Sequence, residues 1–271
     1  MDLVVILEWN QVLDFPVTMS TEATTACNCT SHKAWVAKRI HSFVGIVPLG
    51  IYLVLHLSRN ISTLGGAESF DSAVRETWKN PINYLWVALL VYIPLVYHAA
   101  YGLYLTLTSN KQNFFKYPNF ENLRYVFQRL SAVGLLGFLC AHIFLTRVHV
   151  SMGWLQSSAN PSGQVTWNYF AEHMWHNPMT APVYLLGILA AAYHLANGFS
   201  TFCISWGITT GEKAIKKASI LALVFGLLIL GMGYAAVAGF FVHGEPAKYI
   251  TPAGPLSPEG IFGPLLEKIE I

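Results

Sequence analysis

The chain of 271 residues is 54% hydrophobic, with 16 Lys or Arg and 14 Asp or Glu beside 10 histidines. At 11% charged, against roughly 25% for an ordinary soluble domain, it reads neither as a disordered chain nor as a conventional soluble enzyme. A formal net charge of +2 gives no basic field for nucleic acid, so no nucleic-acid partner is expected. The four cysteines, two of them inside apolar runs, make no disulfide framework.

Residues 1–35 lack the basic start and cleavage site of a signal peptide and read as a cytoplasmic N-terminal extension. Within them Cys27-Asn28-Cys29 is too isolated for a zinc site. Next come five stretches free of Asp, Glu, Lys and Arg: 40–58, 80–110, 130–146, 173–211 and 218–244. About 20 apolar residues cross a bilayer as a helix, which satisfies its own backbone groups. Five transmembrane helices are therefore predicted, at 36–58, 81–109, 124–148, 180–206 and 217–242. Arg124 and Arg129 interrupt the start of the third, where long side chains snorkel to the interface.

Local signals support these bounds. Pro81 and Pro182 stand where helices begin, and Asn80-Pro81 reads as a cap and first-turn pair. Pro48 and Pro94 fall inside spans and are expected to bend them. Trp35, Trp78, Tyr84, Tyr125, Trp154, Trp175 and Trp206 gather near helix ends, as an interfacial aromatic belt does. After His243, residues 244–271 are rich in Pro and Gly and read as an extended outer tail. No connection is long enough for a separate catalytic domain, so the chain acts inside the membrane or through partners.

An odd number of spans puts the termini on opposite sides. Ten basic residues share the N-terminal side: Lys33, Lys38, Arg39, Lys111, Lys116, Arg124, Arg129, Lys213, Lys216 and Lys217. Six fall on the other, namely Arg59, Arg75, Lys79, Arg147, Lys248 and Lys268. The positive-inside rule places the N-terminus in the cytoplasm and the C-terminus outside a multi-pass cell (cytoplasmic or inner) membrane protein.

Six histidines, His32, His41, His149, His173, His176 and His243, lie at or beyond span ends and read as wet interfacial imidazoles. His56, His98, His142 and His194 differ, for they fall one in each of the first four spans among apolar residues. An ionisable group at that depth is costly and usually functional. Spans one and three run outward, which carries His56 and His142 to the outer leaflet, while spans two and four run inward and leave His98 and His194 toward the inner one. Four imidazoles thus sort into two pairs at two depths. Paired neutral imidazoles from facing helices are the ligand set of a six-coordinate b-type haem.

An internal repeat agrees: Tyr97-His98-Ala99-Ala100-Tyr101-Gly102 and Tyr193-His194-Leu195-Ala196-Asn197-Gly198 both read Y-H-x-A-x-G. Small residues beside the ligand leave room for a flat porphyrin, although they also serve plain helix packing. Two haems without an open position and without a substrate domain imply electron transfer rather than oxygen chemistry. No span contains Asp or Glu, which weighs against metal transport and proton pumping. The fold class is all-α, a membrane protein of five transmembrane helices whose first four form a haem-binding bundle.

From about residue 33 to 243 the chain resembles the membrane cytochrome b subunits of succinate:quinone oxidoreductases, in the five-helix, two-haem form that includes fumarate reductases. The resemblance rests on Lys38-Arg39-Ile40-His41-Ser42-Phe43-Val44-Gly45 with Pro48 and His56. It rests equally on Pro94-Leu95-Val96-Tyr97-His98, on Gln128-Arg129-Leu130 with His142, and on the His194 motif leading to Trp206-Gly207. It implies that His98 and His194 bind the haem nearer the cytoplasmic subunits, and His56 and His142 the outer one. It also implies a flavoprotein partner, an iron–sulfur partner and membrane quinone as electron acceptor, with dicarboxylate chemistry on the partners. A higher oligomer is compatible with this reading.

Some two-haem fumarate reductases use a membrane glutamate that has no counterpart in these spans; Glu68 and Asp71 of the outer loop are the nearest carboxylates. Arg39, Ser42 and Arg129 near inner helix ends, and Arg59 and Arg147 at outer ones, are candidates to meet haem propionates or a docked subunit. An outward electron path through two haems would gain about 2.3 kcal/mol per 100 mV for a full crossing, which suits a low-potential quinone such as menaquinone. The rivals are the cytochrome b of another quinone-linked dehydrogenase or hydrogenase, and a multi-pass transporter with structural histidines.

Overall fold

The computed structural model describes residues 21–108, 119–148 and 166–244, with side chains from His32 onward. Lys111, Lys116, His149, Trp154, the first 20 residues and the tail beyond Gly244 lie outside the described residues, as do the side chains of Cys27 and Cys29. The chain divides into two units, 1–40 and 41–271. In the first, the His32 ring stacks on Trp35 and the Arg39 guanidinium lies 4.7 Å over the same indole.

Among the described residues there is no strand. Helix α1 (Thr21–Ile46) leads to α2 (Pro48–Asn60), with Pro48 at its first position where a missing N–H costs nothing. The break expected at Pro48 is confined to Val47, because the Ile51 N–H still reaches the Val47 carbonyl at 3.3 Å. A 3-10 turn (Ile61–Gly65), α3 (Gly66–Trp78) and α4 (Ile82–Val87) follow. Pro81 stands at the N-cap of α4, one place before the first turn expected for it, and Asn80 Oδ1 accepts the Ile82 N–H at 3.0 Å.

The second span bends as Pro94 requires. Proline offers no N–H to the carbonyl one turn back, and the backbone answers with a π turn at Ala88–Tyr92 ahead of α5 (Ile93–Thr108). The Ile93 N–H bonds the Ala88 carbonyl five residues back. Helix α6 (Phe120–Ile143), started by the Asn119 side chain, ends in a second π turn at Phe144–Val148 without any proline. There Thr146 Oγ1 donates to the His142 carbonyl at 2.7 Å, competing with the backbone ladder. Helices α7 (Trp167–His176), α8 (Thr180–Ser205) and α9 (Glu212–Val242) follow among the described residues.

Among the described residues five helical runs are long and apolar enough to cross a membrane: His32–Trp78, Ile82–Thr108, Phe120–Val148, Thr180–Ser205 and Glu212–Val242. They overlie the five predicted spans, the first running on through α3. Large apolar side chains point away from the bundle, with Val96, Leu107, Leu130, Leu186 and Val242 between 62% and 75% exposed. Such a surface suits hydrocarbon rather than water. The protein is an all-α, multi-pass membrane protein.

Helices α2, α5, α6 and α8 follow one another around the bundle, and α9 packs on both α8 and α2. Close approach of α8 and α9 depends on glycine: a Cβ on Gly233 would fall 2.4 Å from Ile188 Cγ2, and one on Gly226 2.8 Å from Ala196 Cβ. At the end carrying α3 and α7, a cluster of Phe70, Trp167, Ala171, Met174, Val237 and Phe240 closes the bundle. Thr63 Oγ1 donates to the Ala236 carbonyl, His243 Nε2 meets the Leu64 carbonyl, and Asp71 Oδ1 accepts the Trp167 N–H at 2.7 Å. Asp71 thus ties α3 to the start of α7.

Candidate cofactor-binding cavity

A cavity of about 870 Å³ runs between α2, α5, α6 and α8 and reaches α9, and His41, His56, His98, His142 and His194 all open onto it. The structure brings His56 and His142 together with ring centres 5.9 Å apart, and His98 and His194 with ring centres 6.0 Å apart. In both pairs the rings are near perpendicular, at 78° and 88°. Gly45 faces His98 and Ser131 approaches His194, while His56 and His142 each stand 11 residues further along those same runs. That spacing separates the two pairs by roughly 16 Å along the bundle.

The ring nitrogens are held in a way that suits metal ligation. A ligating histidine gives its second N–H to a protein acceptor, which fixes tautomer and orientation. His98 Nδ1 lies 3.0 Å from the His41 carbonyl, His194 Nδ1 3.2 Å from the Gln128 carbonyl, and His142 Nδ1 3.0 Å from the Tyr184 hydroxyl. With Nδ1–H donating in each, Nε2 keeps its lone pair. His56 is the exception, since its Nε2 lies 3.1 Å from the Asn60 amide nitrogen. Ligation through that nitrogen requires the Asn60 side chain to turn aside.

The donor set fits haem. Ring centres 5.9 and 6.0 Å apart would leave room for one metal ion between each pair at metal–nitrogen bonds of roughly 2.0 Å. Among the described residues no group of three or more His, Cys, Asp or Glu is placed to chelate a bare ion. The two imidazoles of each pair would hold the iron of a porphyrin bound in this cavity.

Sequence reasoning missed His41, which it took for an interfacial imidazole. The ring lies parallel to His98 at 4.1 Å and 3°, and its buried Nε2 has no hydrogen-bond partner. A Cβ on Gly45 would meet His98 Cε1 at 2.5 Å, and one on Gly102 would meet His41 Nε2 at 3.1 Å. His41-x₃-Gly45 and His98-x₃-Gly102 thus interlock, each imidazole lying over the other helix's glycine one turn away. Gly102 makes room for His41, whereas a Cβ on Gly198 would have no neighbour nearer than 3.8 Å. The repeated H-x₃-G spacing was the available signal.

Of the five predicted polar neighbours, Ser42, Arg59, Arg129 and Arg147 line the cavity. Ser42 Oγ accepts the Trp206 indole N–H at 3.0 Å, and the Arg129 guanidinium lies 3.9 Å over Tyr125. Toward the other end Arg59 donates to Thr77 Oγ1, and Arg147 lies 4.1 Å over Trp78 and 5.3 Å over Tyr84. Arg39 belongs to the first unit. Gln128, Tyr184 and Asn60, which contact the paired histidines, were not singled out from the sequence as site residues.

Comparison with known proteins adds two matches. Residues 108–233 match the family model described as succinate dehydrogenase/fumarate reductase transmembrane subunit. The chain is also 28% identical over 211 residues, 78% of its length and 99% of the relative's, to the succinate dehydrogenase cytochrome b558 subunit of Bacillus subtilis (strain 168). Together they support the assignment that the sequence motifs imply, a membrane cytochrome b subunit of the succinate dehydrogenase/fumarate reductase family.

Proposed function

We propose that the chain is the membrane anchor of a succinate:quinone oxidoreductase, holding two haems b and coupling a flavoprotein and an iron–sulfur subunit to quinone in the lipid phase. The observation that carries this reading is the pair of facing imidazole couples, 5.9 and 6.0 Å between ring centres, at two levels of one cavity. Haem bound there supplies one-electron transfer between the iron–sulfur partner and quinone.

His98 and His194 are the ligands of the inner site, His56 and His142 of the outer one. The His41, Gln128 and Tyr184 acceptors hold three of these rings in one tautomer and orientation before haem arrives. Arg59 and Arg147 offer positive charge to propionates at the outer end, as Ser42 and Arg129 offer donors at the inner end. The apolar bundle walls exclude water.

In this reading residues 1–35 are a cytoplasmic extension, 36–243 the five-helix domain and 244–271 an outer tail. Quinone reduction near the outer site draws charge in the direction the membrane potential favours, which suits menaquinone. The test is purification of the complex with its subunits identified. Two haems b per chain, with a flavoprotein and an iron–sulfur protein bound, support the reading, and the absence of reduced haem b bands contradicts it.

A further inference from the structure

A directional hydrogen-bond chain runs from the start of α6 to the His194 ring. Arg124, in the second turn of α6, donates through Nε–H to Asn197 Oδ1 at 2.9 Å. Asn197 Nδ2 donates to Gln128 Oε1 at 2.8 Å, and Gln128 Nε2 donates to the His194 carbonyl at 3.2 Å. The His194 ring returns the contact, Nδ1–H donating to the Gln128 carbonyl at 3.2 Å. Tyr193 closes the frame with its hydroxyl on the Arg124 carbonyl at 3.3 Å.

Arginine has donors only, so it decides the whole chain. It turns the Asn197 oxygen toward α6, which leaves the Asn197 amide to face Gln128. That contact in turn sets the Gln128 oxygen toward Asn197 and its amide toward the His194 backbone. Gln128 Nε2 also lies 3.1 Å from His194 Nδ1. Two donors cannot bond each other, so the ring N–H turns to the Gln128 backbone carbonyl at 3.2 Å, with Ser131 Oγ 3.5 Å away. Asn197 is 8% exposed, and linked dipoles in such surroundings polarise one another.

We propose that Arg124 is a positioning residue for the inner haem, acting through Asn197 and Gln128 to fix the orientation and basicity of the His194 imidazole. This rests on the reading of His194 as a haem ligand. The N–H dipoles that the fixed Arg124 Nε–H aligns point their positive ends toward His194 and favour the reduced iron, so breaking the chain lowers the reduction potential of the inner haem alone.

The test is a potentiometric haem titration, with low-temperature spectra, on the intact complex carrying Arg124→Gln, Arg124→Lys, Asn197→Leu and the Arg124→Lys/Asn197→Leu double variant. Arg124→Lys keeps the charge and loses the fixed Nε–H. It is expected to shift the inner haem's reduction equilibrium in the same direction as Arg124→Gln, by about tenfold, or 59 mV for a one-electron couple, with the outer haem unmoved. In the Asn197→Leu background, Arg124→Lys is expected to add nothing. A wild-type potential in Arg124→Lys overturns the proposal, because charge alone then suffices. Equal shifts of both haems, or full additivity with Asn197→Leu, overturn it as well. Should Asn197→Leu fail to assemble, the Arg124→Lys result alone decides. If the wild-type complex shows no haem b, the functional reading fails instead.

Discussion

Replacing Gly45 by alanine distinguishes the two proposed haem sites by one methyl group. The new Cβ would fall 2.5 Å from His98 Cε1 and 2.9 Å from His98 Nδ1, whereas carbon atoms in contact are about 3.5–4.0 Å apart. The ring must therefore move by about 1 Å. It has little freedom to do so, being bonded through Nδ1 to the His41 carbonyl and stacked at 4.1 Å on the His41 ring. Metal–ligand distances tolerate roughly 0.2 Å, several-fold less than the displacement. Overpacking of this kind costs about 1–3 kcal/mol, which weakens haem retention at the His98/His194 site roughly 5- to 140-fold. The assay is haem content per chain with a redox titration of the purified complex. Loss or a shift of the inner wave is expected, with the outer wave intact. Gly137→Ala is the control, because its Cβ would meet nothing within 4 Å. Two full, unshifted haems in Gly45→Ala would refute the packing logic.

Three further expectations concern the other parts of the molecule. Tyr184→Phe removes the acceptor for the His142 ring N–H; it should weaken haem binding at the outer site by about 10- to 100-fold and leave the inner spectrum unchanged. Gly239→Ala places a Cβ within 2.6 Å of Thr63 backbone and side-chain atoms, and a fall in stability of about 1–3 kcal/mol should appear in thermal unfolding, with haem spectra unaltered below the transition. In whole cells an uncoupler should slow succinate oxidation if electrons leave from the outer haem to menaquinone; an unchanged rate contradicts that direction.

The spans were legible because charge is so scarce that its few members mark the helix ends; four of the five apolar runs follow those marks within five residues, while the first, His32–Trp78, runs on through α3. The connections were less legible. Helix α3 carries Glu68, Asp71, Arg75 and Glu76, so its polar face reads as loop, while the burial of Phe70 depends on α7 and α9 arriving beside it. The π turn after His142 has no proline to announce it; it appears beside the Thr146 hydroxyl on the His142 carbonyl.

The placement of His56, His98, His142 and His194 followed from helix direction and rise, which are properties of a single chain read in order. His41 did not, because its role comes from a neighbour 57 residues away and its position near a span end suggested water. Asn60, Gln128 and Tyr184 are ordinary residues at helical positions, and only side-chain geometry between helices shows what they hold. The Y-H-x-A-x-G repeat likewise hid a difference: Gly102 makes room for an imidazole, Gly198 for the open cavity.

The most direct test of two haem sites built from these pairs is a redox titration of the complex with each histidine replaced singly by alanine. His98→Ala and His194→Ala should each abolish the same haem wave, and His56→Ala and His142→Ala the other. If His56→Ala and His98→Ala instead remove the same wave, the pairing seen in the cavity is not the pairing that holds haem.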